Sequence, residues 1–526
     1  MHKPQQILTL TSTEVLDYFL KSEQYHNFEL PEYFEFDSLL QHIKQTMGDI
    51  SYDDCLSNTL PDDLRDVNLD ILLNKDGRYA VRPIVLVNPY LYYFLAREIS
   101  SNWDNIKVCF DKFQVPHITS CAIPVIPNKK EPFHKSTTIL NWWNTIEQRS
   151  LELSLEYRYM FITDITNCYG SVNPQTIDWA LSLKATEQPI NTNHQLANNI
   201  IRYLKAMQQG RNIGIPQGSV LFDFVGEIIL GYSDLLLSNK LKQKGIIDGY
   251  EILRYRDDYR IFCNDIDLLE QISYILQEVL ESLNFRMNSQ KTKISHSLIT
   301  DSIKSDKLWY IENTPIFNKK GVDFDGIQKH LLYILLFGRK YPNGGQLRVM
   351  LNDLDRRIEE RLKPNAEGKK GKILENMRPM CAIAAQIAIE NVNVSHYALR
   401  IISRLTNSIK DDLEHWDIIE KVYQKLRNRP NSLYDQLWLQ NITYQKDKKA
   451  GTSPYDFRLC KLVMGESDNL WNNTWIKPEL YAELPLDTIC NQETLAKVTP
   501  VITFRESRAY NEIIEIEDIE LFENEY

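Results

Sequence analysis

Two adjacent aspartates, Asp257 and Asp258, stand between two apolar stretches in EILRYRDDYRIFC, residues 251–263. Neighbouring carboxylates repel each other, and burial raises that cost unless a cation lies between them. A third aspartate, Asp164, follows the short apolar run RYMFIT. Three carboxylates suit a pair of Mg²⁺ ions, which prefer oxygen ligands and can support an in-line phosphoryl transfer. Taken alone, the Asp257–Asp258 pair also fits a solvated turn.

The elements around these acids are predicted to be strands. The run at 158–166 is short and apolar, which predicts a buried strand that carries Asp164 at its end. The stretches on either side of the Asp257–Asp258 pair predict the two strands of a hairpin. If the first strand lies beside that hairpin, the three carboxylates meet at one edge of a sheet. The metal-site hypothesis depends on this convergence.

The remaining pattern predicts an α+β layer followed by a helical region. Residues 1–75 are predicted to form short helices and loops. Apolar periodicity and breaker residues then predict a strand at 79–87, helices at 90–99, 134–157, 174–209, 221–241 and 267–284, and a final turn and strand at 285–295. This alternation is typical of helices on one face of a mostly antiparallel sheet. From about residue 320 helices dominate, as in an α-hairpin array.

Composition bounds the class of protein. The chain has 526 residues, of which 43% are hydrophobic, so it can bury a large core and divide into several domains. Its net charge of −11 argues mildly against a general nucleic-acid coat, although an acidic protein can contain a basic channel. The 8 cysteines form no CxxC pair, which favours a reduced, cytoplasmic chain. A polar N-terminus and the lack of a membrane-spanning stretch agree with that location.

Five segments occur in the order that is typical of a reverse transcriptase. RYAVRPIVLVNP resembles the fingers strand, FITDITNCYGSV motif A, GIPQGSV motif B, YRDD motif C and LNFRMNSQKTKI motif D. The resemblance covers roughly residues 75–315. Within the family, QGSVLFDFVGEIILGYSDLLL and the helical C-terminal half look most like the bacterial abortive-infection and defence-associated enzymes, the unknown-group reverse transcriptases.

The resemblance implies a right-hand polymerase. We therefore expect an α+β fingers and palm, with an antiparallel sheet and helices, followed by an all-α, HEAT-like C-terminal domain. Residues 1–75 would form an N-terminal extension or part of the fingers, and 76–320 the fingers and palm. Residues 321–500 would form thumb-like and HEAT-like helices, with 325–362 supplying part of the thumb, and 501–526 an acidic tail.

The resemblance also implies roles at a metal centre. Asp164 and Asp257 are expected to bridge two Mg²⁺ ions, or Mn²⁺, with Asp258 in support. The main-chain carbonyl of Ile165 is expected to reach the ion on the nucleotide side. Tyr169 lies where the family places an aromatic ring that excludes a ribose 2′-hydroxyl, so that dNTPs are selected over rNTPs. Ordinary core packing is the alternative for Tyr169.

A second set of residues is expected to bind the nucleotide. Arg82, on the fingers strand, matches the triphosphate because guanidinium binds phosphate bidentately, with a surface ion pair as the alternative. Gly218 permits close approach of the backbone, and Gln217 can bind near the sugar or the template. Ser219 also suits a helix cap, and both roles can hold together. Lys291 matches the motif D lysine that protonates the leaving pyrophosphate.

Several features leave alternatives open. Lys293 is close to Lys291 and is the alternative motif D lysine. Arg256 departs from the small or apolar residue usual at that position of motif C, and it suits a primer or template contact, an ion pair with an acid, or an unusual priming mode. The basic stretch at 356–372 fits a nucleic-acid backbone or a solvated helix end. Tyr510 and Tyr526 are candidates for a priming tyrosine.

The function that the resemblance implies is an RNA-directed DNA polymerase in antiphage defence. Its partners would be dNTPs, an RNA template and the DNA product. Some relatives use a non-coding RNA or no template, some prime from a protein hydroxyl, and several are homo-oligomers. The alternatives are a catalytically silent RNA-binding protein and an oligomeric scaffold that keeps a polymerase fold. The three acids favour an enzyme, because clustered carboxylates without a metal are costly.

Overall fold

The computed structural model describes most of the chain. The described residues are 5–75, 80–127, 134–184, 189–313, 326–362, 377–466, 470–481 and 486–504. Most of the basic stretch at 356–372, the candidates Tyr510 and Tyr526, and the acidic tail from residue 505 onward therefore lie outside the described residues. Within the described residues, every helix is too short or too polar to span a bilayer.

A five-stranded sheet forms the centre of the molecule. The described residues contain the strands β1 (Leu69–Asn74), β2 (Val81–Leu86), β3 (Ile118–Ser120), β4 (Tyr159–Asp164), β5 (Tyr250–Tyr255), β6 (Asp258–Cys263) and β7 (Lys293–Ser295). Strands β3 to β7 form the central sheet, and β1 and β2 form a separate one. The central sheet has the order β3–β5–β6–β4–β7. Strand β3 runs parallel to β5, and the other neighbours are antiparallel. The sheet carries the predicted strand at 158–166 as β4 and the predicted hairpin as β5 and β6.

The strands of this sheet form where short apolar runs are buried. Met160, Ile252 and Ile261 are fully buried, and Phe161 is nearly so. Runs of this length cannot build a helix of useful size, and their breakers fix both ends. The mostly antiparallel sheet with packed helices confirms the predicted α+β fold class. Strand β3 was not predicted, since three residues give too weak a pattern.

Strands β1 and β2 form a second, two-stranded sheet, in the region that is expected to belong to the fingers. Strand β2, which was predicted at 79–87, pairs antiparallel with β1, from Leu69 opposite Leu86 to Asn74 opposite Val81. The prediction of short helices and loops for residues 1–75 missed β1. In LDILLN the burial alternates, since the odd-numbered residues are buried while Asp70 and Leu72 are exposed, but the apolar Leu72 interrupts the alternation in the sequence itself. A period of two is the signal of a half-buried strand.

Helices cover the sheet and build the N-terminal part. Their bounds are α1 (Ser12–Phe19), α2 (Ser22–Tyr25), α3 (Asp37–Met47), α4 (Tyr52–Cys55), α5 (Pro89–Ser101), α6 (Trp103–Phe113), α7 (His134–Trp142), α8 (Arg149–Leu153), α9 (Cys168–Ser171), α10 (Gln175–Leu181), α11 (His194–Ala206), α12 (Val220–Gln243), α13 (Ile266–Ser282), α14 (Leu298–Ser302) and α15 (Ser305–Asn313). A π-helical segment, Trp143–Gln148, joins α7 to α8. Helix α12 is buried on nearly all sides, as a central helix must be.

Helices are the main elements of the C-terminal part in the residues that the structure describes there, as predicted. Its helices are α16 (Ile327–Lys340), α17 (Gly345–Leu362), α18 (Met377–Glu390), α19 (Ser395–Asn407), α20 (Asp412–Arg427), α21 (Leu433–Ala450), α22 (Arg458–Val463), α23 (Leu486–Ile489) and α24 (Gln492–Ala496). Helices α16 to α19 pack on one another, and α19 continues the packing to α20 and α21.

The C-terminal segment also returns to the N-terminal part. The main-chain N–H of Ser57 donates to the carbonyl of Trp475 at 2.7 Å, and that of Glu35 donates to Ile489 at 2.9 Å. The indole N–H of Trp471 donates to the carbonyl of Leu86, the last residue of β2, at 3.0 Å. The main hydrophobic core accordingly includes residues from both ends of the chain. The fingers are thereby supported from the C-terminal side.

Candidate active site

The three predicted acids meet at one edge of the central sheet. Asp164 is the last residue of β4, and its cross-strand partner is Asp258, the first residue of β6. Asp257 lies in the two-residue loop between β5 and β6. The main-chain N–H of Ile165 donates to the carbonyl of Asp257 at 3.1 Å, which joins the strand end to that loop. The predicted juxtaposition of distant segments is therefore present in the backbone.

The surroundings of Asp257 and Asp258 favour the neutral forms of these two carboxyl groups. Burial, and then the charge of Asp164, raise the pKa of Asp257. Asp258 is exposed toward the cleft, but the protein on its other sides and the charges of Asp257 and Asp164 raise its pKa to about 6. Carboxylates placed this close need a compensating positive charge to be ionised together.

A lysine supplies part of that charge. The Lys291 ammonium donates to Oδ2 of Asp164 at 2.5 Å. The Oδ1 atom of Asp164 is buried and has no hydrogen-bond partner among the described residues. Across the described part of the chain, no three His, Cys, Asp or Glu side chains converge as a ready ligand set for a metal ion. The backbone positions and the orphaned Oδ1 fit a divalent cation, provided that the carboxyl groups turn toward a common point.

The alternative lysine has a different partner. Lys293 lies on β7 and donates to Asp301 at 2.7 Å. Of the two candidate motif D lysines, only Lys291 contacts the acids at the sheet edge. The Asp164 contact, chiefly through its hydrogen bond, raises the pKa of Lys291.

The ring of Tyr169 lies beside α12. Its hydroxyl donates to Oδ1 of Asp223 at 2.8 Å. A Cβ atom built on Gly226 would stand 3.4 Å from the ring, so this glycine leaves the room that the ring occupies. Burial, followed by the charge of Asp223, raises the pKa of Tyr169 well above its usual value. The hydroxyl therefore stays a donor at ordinary pH.

The 214–219 loop rests on the fingers strand β2. The main-chain N–H of Val85 donates to the carbonyl of Gln217 at 2.8 Å. Gly218 has a φ of +126°, and an added Cβ would stand 2.9 Å from the carbonyl oxygen of Val85. Only glycine fits so close an approach at this φ. Ser219 caps α12, because its hydroxyl accepts from the N–H of Phe222 at 3.3 Å.

Two predicted nucleotide ligands keep their polar groups available. Arg82 lies on β2 with an exposed side chain. Its guanidinium makes no hydrogen bond or ion pair with any residue that the structure describes. The surface ion pair considered for Arg82 is thus not formed within the described residues. The side chain of Gln217 is half-buried and likewise makes no hydrogen bond within that part of the chain. Both side chains are free to meet a ligand.

Sequence reasoning missed a row of acids on α12. Glu227 and Asp234 bind the fully buried Arg254 of β5, at 2.6 and 2.8 Å. Asp223 accepts from Arg256 of the hairpin loop at 2.6 Å. Spacings of four and seven residues put these acids on one face of the helix, and Arg254 and Arg256 are two residues apart on the chain. These acids on one helix face, together with the two nearby arginines, were the signal in the sequence for buried ion pairs between α12 and the hairpin.

The comparison with protein families covers this region. Residues 108–328 match the family model of reverse transcriptase (RNA-dependent DNA polymerase). The match is to this family over less than half of the chain. The match begins within α6 and ends within α16, so it includes the whole central sheet, the three acids, the 214–219 loop and Lys291. Strand β2, with Arg82, lies outside the matched residues.

Two solved telomerase structures are also similar to the chain. One is telomerase from Candida albicans in complex with a TWJ fragment of telomeric RNA, at 10% identity and a TM-score of 0.29. The similarity covers 68% of this chain and 66% of that one, just under two thirds of its length. The other is apo telomerase from Candida tropicalis, at 12% identity and a TM-score of 0.32, covering 73% and 74%. No curated protein matches the chain.

Proposed function

We propose that this protein is an RNA-directed DNA polymerase that adds dNTPs to a DNA end by two-metal phosphoryl transfer. The observation that carries the proposal is the cross-strand pairing of Asp164 with Asp258, with Asp257 in the adjoining loop, within the residues that match the reverse transcriptase family. Asp164 and Asp257 would hold both ions, with Asp258 and the carbonyl of Ile165 in support. When bound, two Mg²⁺ or Mn²⁺ ions supply charge stabilisation and activation of the attacking oxygen.

The other residues would bind and orient the nucleotide. Arg82 would grip the triphosphate, for which its unpaired guanidinium is suited. Gln217 and Gly218 would form the floor under the sugar and base, supported by their contact with β2. The Tyr169 ring would stand against the 2′ position of the sugar. This division leaves little covalent chemistry to the protein, in keeping with phosphoryl transfer.

Lys291 would have two positions. Its ammonium now lies on Asp164, where it compensates part of the negative charge. Lys291 would move away from Asp164 when that carboxylate holds a divalent ion, because the ammonium and the ion would repel each other at short range. The freed ammonium would then stand near the leaving pyrophosphate and donate a proton to it.

Nucleotide incorporation tests the proposal. Purified protein, Mg²⁺ and labelled dNTPs should yield labelled DNA, and Asp257→Ala should abolish the label. The matched control is Asp248→Ala, since Asp248 is exposed, lies just before β5 and pairs with no described residue. Equal incorporation by both variants would overturn the metal-site assignment. RNA binding that persists without any incorporation, and that ignores Asp257→Ala, would favour a silent RNA-binding protein instead.

We further propose a biological setting that rests on the sequence resemblance alone. In it the protein acts in the bacterial cytoplasm in antiphage defence of the abortive-infection type, as a homo-oligomer. It would copy a non-coding RNA or work without a template, and it would prime from a protein hydroxyl. Sequencing of co-purified nucleic acid before and after protease treatment tests template and priming together. Light scattering of the full chain tests the oligomer, and a monomer at micromolar concentration would contradict it.

A further inference from the structure

Asp223 joins three elements of the candidate site. Its Oδ1 atom accepts from the hydroxyl of Tyr169, which follows the strand that carries Asp164, at 2.8 Å. Its Oδ2 atom accepts from Nη2 of Arg256 at 2.6 Å, in the loop that carries Asp257. The same oxygen accepts from Nδ2 of Asn27 at 3.2 Å. One carboxylate, three residues into α12, thus ties the aromatic ring to the hairpin loop.

Arg256 is held in an unfavourable conformation to make this contact. Its φ is +53°, in the left-handed region that favours glycine, and it is the first residue of a two-residue hairpin loop. Such loops select glycine or asparagine at positions of positive φ. Buried Arg254 donates to the carbonyl of Arg256 at 3.4 Å, so main chain and side chain are both fixed. A strained residue that is held from two sides beside catalytic groups points to a role in the site.

The contact bears directly on the freedom of the Tyr169 ring. The half-buried ring packs against the hydrophobic core, but Gly226 offers it no side chain. The hydroxyl bond to Asp223 is the polar contact that orients the ring. Asp223 is itself fixed, because its side chain is only 11% exposed and its second oxygen is occupied by the guanidinium. Without the guanidinium, the longer bond from Asn27 at 3.2 Å would remain on that oxygen, so the carboxylate would be held less firmly and the ring could shift with it.

We propose that Arg256 and Asp223 are positioning residues that lock the Tyr169 ring against the nucleotide sugar and so set the discrimination against ribonucleotides. The proposal rests on the proposed function, since it needs a sugar beside Tyr169. It accounts for the arginine in motif C as part of the specificity device. The ligand class is a deoxyribonucleoside triphosphate, and the rejected class is its 2′-hydroxylated counterpart.

Selectivity kinetics test the lock. The quantity measured is kcat/KM for dATP divided by kcat/KM for ATP, in the full-length wild type, R256M, Y169F and the double variant. Loss of one charge-assisted hydrogen bond should lower this ratio about tenfold in each single variant. The double variant should lose no more than either single one, because both break the same chain of contacts. R256K, which keeps the charge, should retain most of the ratio.

Further variants separate the lock from general damage. R256G keeps the turn, since glycine accepts the positive φ, and it should lose selectivity as R256M does. R202M, on α11, removes an exposed ion pair with Asp53 of α4 and should leave the ratio unchanged. A general loss of activity moves both substrates together and leaves their ratio alone. An unchanged ratio in R256G and R256M, or additive losses in the double variant, would overturn the proposal.

A binding measurement separates this proposal from the proposed function. If the wild type incorporates no nucleotide, the proposed function fails, and calorimetric titration of dATP and ATP still tests the lock. Preference of the wild type for dATP, reduced about tenfold in R256G, would support it. Equal binding of both nucleotides by the wild type, or no binding of either, would overturn it.

Discussion

The contact between the 214–219 loop and the fingers gives a sharp prediction for Gly218→Ala. An added Cβ would stand 2.9 Å from the main-chain oxygen of Val85 and 3.0 Å from Cγ2 of Ile84. The loop must then leave β2 and lose the hydrogen bond from Val85 to Gln217. Gly245→Ala is the matched control, because Gly245 also has a positive φ, +78°, but has nothing within 4 Å of an added Cβ.

The two variants share one cost and differ in another. An unfavourable φ costs a non-glycine residue roughly 1–3 kcal/mol, and both variants carry this strain. Gly218→Ala adds the main-chain clash and the lost hydrogen bond, the latter worth about 0.5–1.5 kcal/mol. Because the loop is proposed to support the nucleotide, a loss of about 1–3 kcal/mol of transition-state stabilisation would lower kcat/KM for dNTPs about 5- to 150-fold.

The assay is steady-state incorporation of a single dNTP, with thermal unfolding measured alongside. We expect Gly245→Ala to stay within about twofold of the wild type in kcat/KM, since its strain lies at the far end of α12. Gly218→Ala should lose activity while the protein remains folded. If both variants keep the same kcat/KM, the loop is not held against β2 in the way that the distances indicate.

Three further perturbations follow from the same structure. Arg82→Ala should raise the KM for dNTPs about tenfold or more, because it removes the proposed triphosphate contact. The melting temperature should not change, because the exposed guanidinium supports no described residue. A lowered melting temperature with a normal KM would contradict this role. Arg254→Met should lower the melting temperature by on the order of 10 °C, because it leaves two buried carboxylates without their cation. Arg202→Met should change the melting temperature by little, and equal shifts in the two variants would contradict this prediction. Burial, then the charge of a nearby arginine, lowers the pKa of His134 to about 4. Unfolded histidine gains its proton near pH 6.5 while the folded one does not, so the contribution of His134 to stability should fall from pH 6.5 toward 4 by up to about 3 kcal/mol. His134→Gln should therefore lose less stability than the wild type over that range in thermal unfolding, because the opposing contribution of Asp258, whose pKa is raised, is present in both proteins.

Local patterns were sufficient for the palm. Strand β4 and the β5–β6 hairpin are short apolar runs with clear ends, so their type followed from the sequence. The meeting of their acids was predicted only on the condition that the two lie side by side, as they do in the structure. Strand β1 was overlooked because its alternation is only six residues long and follows an acidic, aromatic segment. The return of the C-terminal segment had no local signal, because the bond from Ser57 to Trp475 joins residues more than 400 positions apart.

The side-chain network could not be predicted for a different reason. The pairing of Arg256 with Asp223 depends on the left-handed backbone of Arg256 and on the rotational phase of α12 against the hairpin. Neither is a property of a short stretch of sequence. The acids of α12 were hidden within an apolar pattern that already explained the helix. Buried charges of this kind become visible only when both partners are placed.

The central claim is that Asp164 and Asp257 bind divalent cations together. A crystal structure grown with Mn²⁺ and a dNTP whose α–β bridge resists cleavage tests it most directly, through the anomalous signal of the metal. We predict a Mn²⁺ peak in contact with carboxylate oxygens of both residues, including Oδ1 of Asp164, and Lys291 moved away from Oδ2. A map without metal between them at millimolar Mn²⁺, with the Lys291–Asp164 ion pair intact, would contradict the account.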